Sequence, residues 1–166
     1  YLRSAIVDTV GFPDREWGVP LSSAEAAEVA RRIDIQLKKS DAAVYVKVLP
    51  ESAGVYTDQM DGGAPVFLFA GDASRHVGEI ERRLPAGARF RVASVSRSTA
   101  DLEAIRLEVD LAKPALLKQG IDVILTGIDT SANQLMLGVN GLTPSAEKVL
   151  RTRFGDAIAV RDERPA

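Results

Sequence analysis

The sequence predicts an α+β protein of two similar lobes, each a three-stranded antiparallel sheet with a helix on one face, joined by a long helix and preceded by an N-terminal helical segment. Three observations carry this. The stretch from Ile121 to Asp162 repeats the order of Gly54 to Val95, and self-similarity in a fixed order decides architecture before any local reading does. In both copies an extended run ends at an aspartate (Asp58, Asp129), a polar turn follows, and an apolar strand leads to a glycine (Gly71, Gly141). Gly71 to Leu84 then spans the same distance as Gly141 to Phe154, so Ile80 and Leu84 match Leu150 and Phe154, and Phe90 and Val92 match Ile158 and Val160.

The chain divides into 1–50 (arm and helices), 51–97 (first unit), 98–120 (connecting helix) and 121–166 (second unit and tail). Leu2 to Val10 reads as a short helix, and Gly11, Pro13, Gly18 and Pro20 make the following segment an irregular arm. Trp17 is expected to anchor that arm to the core in preference to serving as a ligand platform. Ser22 and Glu25 have capping-box spacing, and Ala26, Val29, Ala30, Ile33 and Leu37 recur on one helical face, with Arg31, Arg32, Lys38 and Lys39 on a solvated one. Asp41 to Leu49 fits a strand through Val44, Val46 and Val48 or a helix through Tyr45, Val46 and Leu49, and the helix is preferred.

In the first unit Val55 to Asp58 and Val66 to Ala70 are strands joined through Asp61, Gly62 and Gly63, whose tolerance of positive φ suits a hairpin. No phosphate-cradling role attaches to these glycines, because a whole strand intervenes before the next helix. That helix takes Asp72 as N-cap and Ala73, Val77, Ile80 and Leu84 as its inner stripe, and Pro85 stops it. In the third strand Phe90 and Val92 alternate with Arg89 and Arg91, the pattern of a sheet covered on one face and wet on the other. Ser98 or Thr99 caps the connecting helix, Leu102, Ile105 and Val109 line it, and Gly120 ends it. Pro114 removes one backbone hydrogen bond from its interior, so a kink or break is expected near Ala112 to Lys113. The second unit follows with strands Val123 to Asp129 and Gln134 to Val139 and a helix opened by Thr143 and Pro144. Ala146, Val149, Leu150 and Phe154 form its stripe, and Ile158 and Val160 its last strand. The polar tail Arg161 to Ala166 is expected to leave the body. With the usual crossover each third strand runs with the second, and it pairs antiparallel with the first only if that first strand is central.

A chain of 166 residues, 46% hydrophobic, buries a core without staples, and a formal charge of −2 gives no field that would gather nucleic acid or an anionic membrane. The absence of Cys excludes disulfides and thiolate chemistry. No run approaches the ~20 apolar residues that cross a bilayer. Tyr1 in place of an initiator Met is expected of a processed or partial chain, which leaves secretion open.

No residues announce catalysis, a metal or a cofactor. The single His, His76, is expected on the helix surface, and no nucleophile elbow marks a Ser for it to activate. Asp58 and Asp129 could be calcium ligands, but no dense carboxylate loop accompanies them, and they are expected to start their turns by accepting backbone N–H bonds. A hydrolase using paired carboxylates stays open as a third reading.

Ala53-Gly54-Val55-Tyr56-Thr57-Asp58, then Val66-Phe67-Leu68-Phe69-Ala70-Gly71-Asp72, and later Thr126-Gly127-Ile128-Asp129 through Asn133-Gln134-Leu135-Met136-Leu137-Gly138-Val139 with Leu142-Thr143-Pro144 resemble the pro-regions of bacterial chymotrypsin-like proteases of the alpha-lytic protease and streptogrisin type, and the similar amino-terminal domains of secreted actinobacterial proteins. The likeness covers about Ser22 to Arg161. It implies a secreted module, not itself an enzyme, that assists the folding of a chymotrypsin-like protease domain in the same precursor and inhibits it until removed. By position, the partner-binding parts would be an edge of the second sheet and the tail residues Arg161, Asp162, Glu163, Arg164, Pro165 and Ala166. The alternative is a stand-alone extracellular interaction or structural module with no protease partner, self-associating through the same edges. Either reading needs only unpaired main chain along a strand, which takes its affinity from backbone hydrogen bonds.

Overall fold

The structure, a computed structural model, describes residues 21–61 and 63–164, and of 31–40 only the helical backbone course. The expected first helix, the arm, Trp17, the tail's Pro165 and Ala166, Gly62, and the side chains of Arg31, Arg32, Ile33, Leu37, Lys38 and Lys39 lie outside the described residues. Helix α1 is Ser23–Lys47; strands β1 and β2 are Ser52–Asp58 and Ala64–Ala70; a 3₁₀ turn, Ser74–His76, runs into α2, Val77–Arg83; and β3 is Arg91–Val95. Helix α3, Thr99–Lys118, leads to β4, Asp122–Asp129, β5, Gln134–Asn140, α4, Pro144–Phe154, a 3₁₀ turn Gly155–Ala157, and β6, Ile158–Asp162. The molecule is α+β with two lobes of like construction, each holding one three-stranded sheet.

The sheets correct the expected pairing. They are ordered β1-β2-β3 and β4-β5-β6, with the hairpin pairs antiparallel and β2 with β3, and β5 with β6, parallel. They are therefore mixed, and the second strand of each unit is central. The cause is in the residues. Ala64 to Phe69 of β2 is buried at every position, so this strand needs cover on both faces and neighbours on both sides. The first strands instead carry bulges, which suit an edge. The bulges confirm the duplication: one falls between Ser52 and Gly54, the other between Val123 and Leu125, at matching distances from Asp58 and Asp129.

The helix from Ser23 runs without a break to Lys47, so Asp41 to Leu49 is helical but for its end. Ala42 and Val46 are fully buried against Phe67 and Phe69, while Val44 is exposed. Farther back in α1 the expected stripe is shallower, and Ala30 is exposed. Helix α3 also runs unbroken through Pro114. Pro114 and Asp110, the residue whose carbonyl loses its donor, both face solvent, where water replaces the missing bond. Helices α3 and α4 pack Val109, Leu116 and Leu150 onto Leu135, Leu137 and Val139 of the second sheet. The first sheet is not wet on its second face: Ala53, Val66 and Leu68 form a buried cluster there, with Tyr56, Ala93 and Val95 around it.

His76 is buried, contrary to expectation, and Val77 is 38% exposed. The turn Ser74–His76 winds at about three residues per turn instead of 3.6, which advances the inward face by one position to Ala73, His76, Ile80 and Leu84. The imidazole stacks on Phe69 at 4.0 Å between ring centres, and its Nε2 lies 3.1 Å from both Arg75 Nε and Glu51 Oε1. Asp72 is not the N-cap expected of it, a position that Ala73 takes without a side-chain bond; its carboxylate instead accepts from the N–H and hydroxyl of Ser74 just ahead of the turn. Ser98, not Thr99, caps α3 in a box with Asp101: its hydroxyl accepts from the Asp101 N–H at 3.1 Å, and the Asp101 carboxylate accepts from the Ser98 N–H at 2.8 Å.

The lobes are joined by a small set of contacts around the second hairpin turn. Asn133 is buried at φ 53°, and its side-chain amide pairs with the backbone of Arg97, accepting from N–H at 3.0 Å and donating to C=O at 2.8 Å. The Arg97 side chain forms an ion pair with Asp156. Beside them Gly54, at φ 102°, leaves room for Thr130, whose Cγ2 would lie 2.8 Å from a β-carbon added there. Replacing Asn133 with Ala leaves two backbone groups unpaired and puts in the left-handed region a residue that tolerates it less well than asparagine, so a loss of about 3 kcal/mol is expected in urea unfolding. Asn133→Gly keeps the backbone relaxed and should cost less.

Carboxylates that accept backbone donors also set the response to acid. Asp101 is held below its ordinary range first by the Ser98 N–H, Glu25 by the Ser22 N–H, and Asp72 by the Ser74 hydroxyl. A lowered folded pKa means the unfolded chain binds the proton first, so the stabilisation is complete above the unfolded value near 4 and is lost as pH falls through the folded values. Urea midpoints should therefore hold from pH 7 to 5 as far as these groups are concerned and drop below about 4, with a shallower drop in Asp101→Asn.

Candidate partner-binding edge

The second sheet ends in β4 on one side and β6 on the other, and these edges differ in chemistry. Strand β6 and the residues after it read Ile-Ala-Val-Arg-Asp-Glu-Arg, with exposed charges at Arg161, Asp162, Glu163 and Arg164. Charged edges discourage further pairing. The tail is also less loose than expected. Arg161 and Asp162 belong to β6, and the N–H of Glu163 donates to the carbonyl of Val139 at 2.9 Å. The Asp162 carboxylate accepts from Leu142 N–H, which holds its pKa below the usual range, and pairs with Arg164. The parallel pairing with β5 continues one residue past β6, and this is why the segment does not leave the body.

Strand β4 reads Asp-Val-Ile-Leu-Thr-Gly-Ile-Asp, with no charge between its two aspartates and no Pro or Lys to blunt it. Its local geometry follows from both ends. Gly120 at φ 77° closes α3 and lets Ile121 N–H reach the Leu116 carbonyl, which launches the strand. The Asp129 carboxylate ends it by accepting from the Ser131 hydroxyl at 2.7 Å and the Ala132 N–H at 3.0 Å, and these bonds, the hydroxyl's first, hold its pKa below the usual range. Asp58 does the same in the first turn, accepting from Met60 and Asp61 N–H groups, so both aspartates are the turn starters expected of them.

Between these ends the bulge turns Ile124 and Leu125 outward, 52% and 48% exposed. The repeat gives this a reference. The matching residues of β1 are Ala53, which is buried, and Gly54, which lies under Thr130 of the other lobe. The same bulge is thus covered by a neighbour in the first lobe and bare in the second. Sequence reading did not single out Ile124 and Leu125. Their signal is that three apolar residues in succession, Val123 to Leu125, break the alternation of a half-buried strand, which a bulge explains.

Gly138 couples this edge to the tail. It has no positive φ, but a β-carbon there would lie 2.7 Å from Glu163 Cγ and 2.9 Å from Leu125 Cβ. Glycine is present so that the Glu163 stem and Leu125 can close over the sheet. Gly138→Val should force both aside, and faster amide exchange at Glu163 than in the native chain is the expected readout.

A recess at the lobe junction, about 470 Å³, is lined by Val46, Ser52, Gly54, Thr99, Ile128 and their neighbours, among which Lys47 alone is ionisable. Among the described residues no group of three or more His, Asp or Glu is placed to hold a metal ion, and no helix is long and apolar enough to cross a membrane. No family model matches the sequence, and no curated protein matches it.

Proposed function

We propose that this chain is a secreted pro-region-like module that assists the folding of a chymotrypsin-like serine protease domain and inhibits it until removed, with no catalysis of its own. The observation that supports this reading most is β4, a long apolar edge strand left bare at the bulge that its repeat counterpart keeps covered. A protease strand added there would extend the second sheet from three strands to four and gain main-chain hydrogen bonds without any special side chain. Arg161, Asp162, Glu163 and Arg164 lie on the opposite edge of the same sheet.

The exposed Leu107, Leu111 and Leu117 of α3 favour a second reading, a stand-alone extracellular module that assembles through this helix as well as its edges. One experiment separates the two. The chymotrypsin-like domain encoded with this chain is unfolded and then refolded with and without it. Recovered peptidase activity that rises with the chain during refolding, and slowed peptide hydrolysis when the chain is added to the folded protease, are the expected results. A protease indifferent to the chain in both assays leaves the stand-alone module.

A further inference from the structure

The two copies of the repeat differ in the ion pairs beside the hairpin turn. In the first lobe the turn-starting Asp58 is met across the sheet by Arg91 of β3, with Nη1 to Oδ2 at 3.1 Å, and Asp61 by Arg89. Matching Phe90 and Val92 with Ile158 and Val160 puts Ala157 and Ala159 where Arg89 and Arg91 stand, and the strand registers agree, since Arg91 lies opposite Val66 and Ala159 opposite Met136. The counterpart of Asp58, Asp129, therefore keeps its carboxylate but has lost the arginine. Arg161 acts on it only at longer range. Among the described residues no basic side chain forms an ion pair with Asp129, with Asp122 at the other end of β4, or with Glu163 beside Leu125. Asp122 has only a 3.3 Å bond from the Asn140 amide.

We propose that β4 takes an extended segment of a partner protein that is apolar in the middle and basic at its ends, with an arginine or lysine of the partner replacing, at Asp129, the cation that Arg91 supplies to Asp58. This rests on reading the second sheet as the partner-binding edge and adds the chemistry of what binds. The register of β4 puts Asp122, Leu125, Gly127 and Asp129 on one face, opposite Asn140, Gly138, Met136 and Gln134. A strand laid along the edge meets a carboxylate, then apolar and open surface, then a carboxylate. Opposite charges facing each other across strands stabilise the pair, and like charges destabilise it. That last point disfavours a second copy of this chain as the occupant, because antiparallel pairing of two β4 strands about their midpoints sets Asp122 against Asp129 at both ends.

The test uses the whole chain and three synthetic strands of alternating Val and Thr, with arginine, glutamate or glutamine at both ends, titrated while backbone amide shifts are followed. The arginine-ended strand should move the amides of β4 and bind more tightly than the glutamine-ended one, by about fivefold for each charge pair, with the glutamate-ended strand weakest. Asp129→Asn keeps an oxygen to accept from Ser131 and Ala132 but removes the charge, so it should lose about fivefold for the arginine-ended strand and nothing for the glutamine-ended one. Equal binding of all three strands at β4 overturns the proposed partner chemistry while leaving the edge as a docking site. Shifts confined to β6, no binding of any strand, or self-association of the chain that Asp122→Lys strengthens, as it would for two β4 strands paired with residue 122 facing Asp129, overturns the proposal with the edge itself.

Discussion

The side-chain amide of Asn133 against the backbone of Arg97 is the contact on which the rest of the arrangement depends. It imitates a pair of strand hydrogen bonds, one accepted and one donated, in a place where both lobes exclude water. Buried polar groups are costly unless matched, so this pairing admits one relative placement of the lobes and penalises others. Asparagine suits the position twice, since it tolerates the left-handed backbone of the turn and its amide carries both a donor and an acceptor. From this placement follow the cover that Thr130 gives to Gly54 and the bareness of the matching residue Leu125.

The parts of the fold legible in the sequence are those decided by neighbours along the chain. The capping box at Ser22, a cap at the start of the connecting helix, the turns begun by Asp58 and Asp129, and the inward places of Ile80 and Leu150 follow from neighbours within a few residues, although Val77 and Val149, expected beside them, are exposed. Strand order was misread because it depends on which strand can be enclosed. The unbroken apolar run of β2, against the alternation of arginine and apolar residues from Arg89 to Val92, is the clue that it lies in the middle. His76 was misplaced because a single tight turn shifts the phase of the helix behind it, which no periodicity count registers. The tail was expected to leave because its residues are charged, whereas the parallel pairing with β5 needs only their backbone. In the second sheet, the outward turn of Ile124 and Leu125 emerges only once the bulge is located.

A protein of this composition has little reactive chemistry to use. Its carboxylates are mostly spent on capping and on ion pairs at the surface, where each contributes modestly. What distinguishes the second lobe from the first is subtraction: two arginines have become alanines, and no neighbour closes over the bulge. An exposed apolar strand of this length invites unwanted pairing unless it has an owner. A recognition role for β4 accounts for both features with one assumption.

The equivalence of the two bulges has a further consequence for how the chain reaches its native form. Since β1 and β4 share bulge position, turn signal and direction relative to their partners, β4 is geometrically competent to hydrogen-bond with β2, and β1 with β5. Repeated units are prone to such exchange while they are still incomplete. The bulk of Phe67 and Phe69 where the other copy has Leu137 and Val139 makes the crossed pairings fit poorly under either set of helices. Divergence between the copies thus acts as a kinetic safeguard, steering each hairpin toward its own crossover helix before the halves meet.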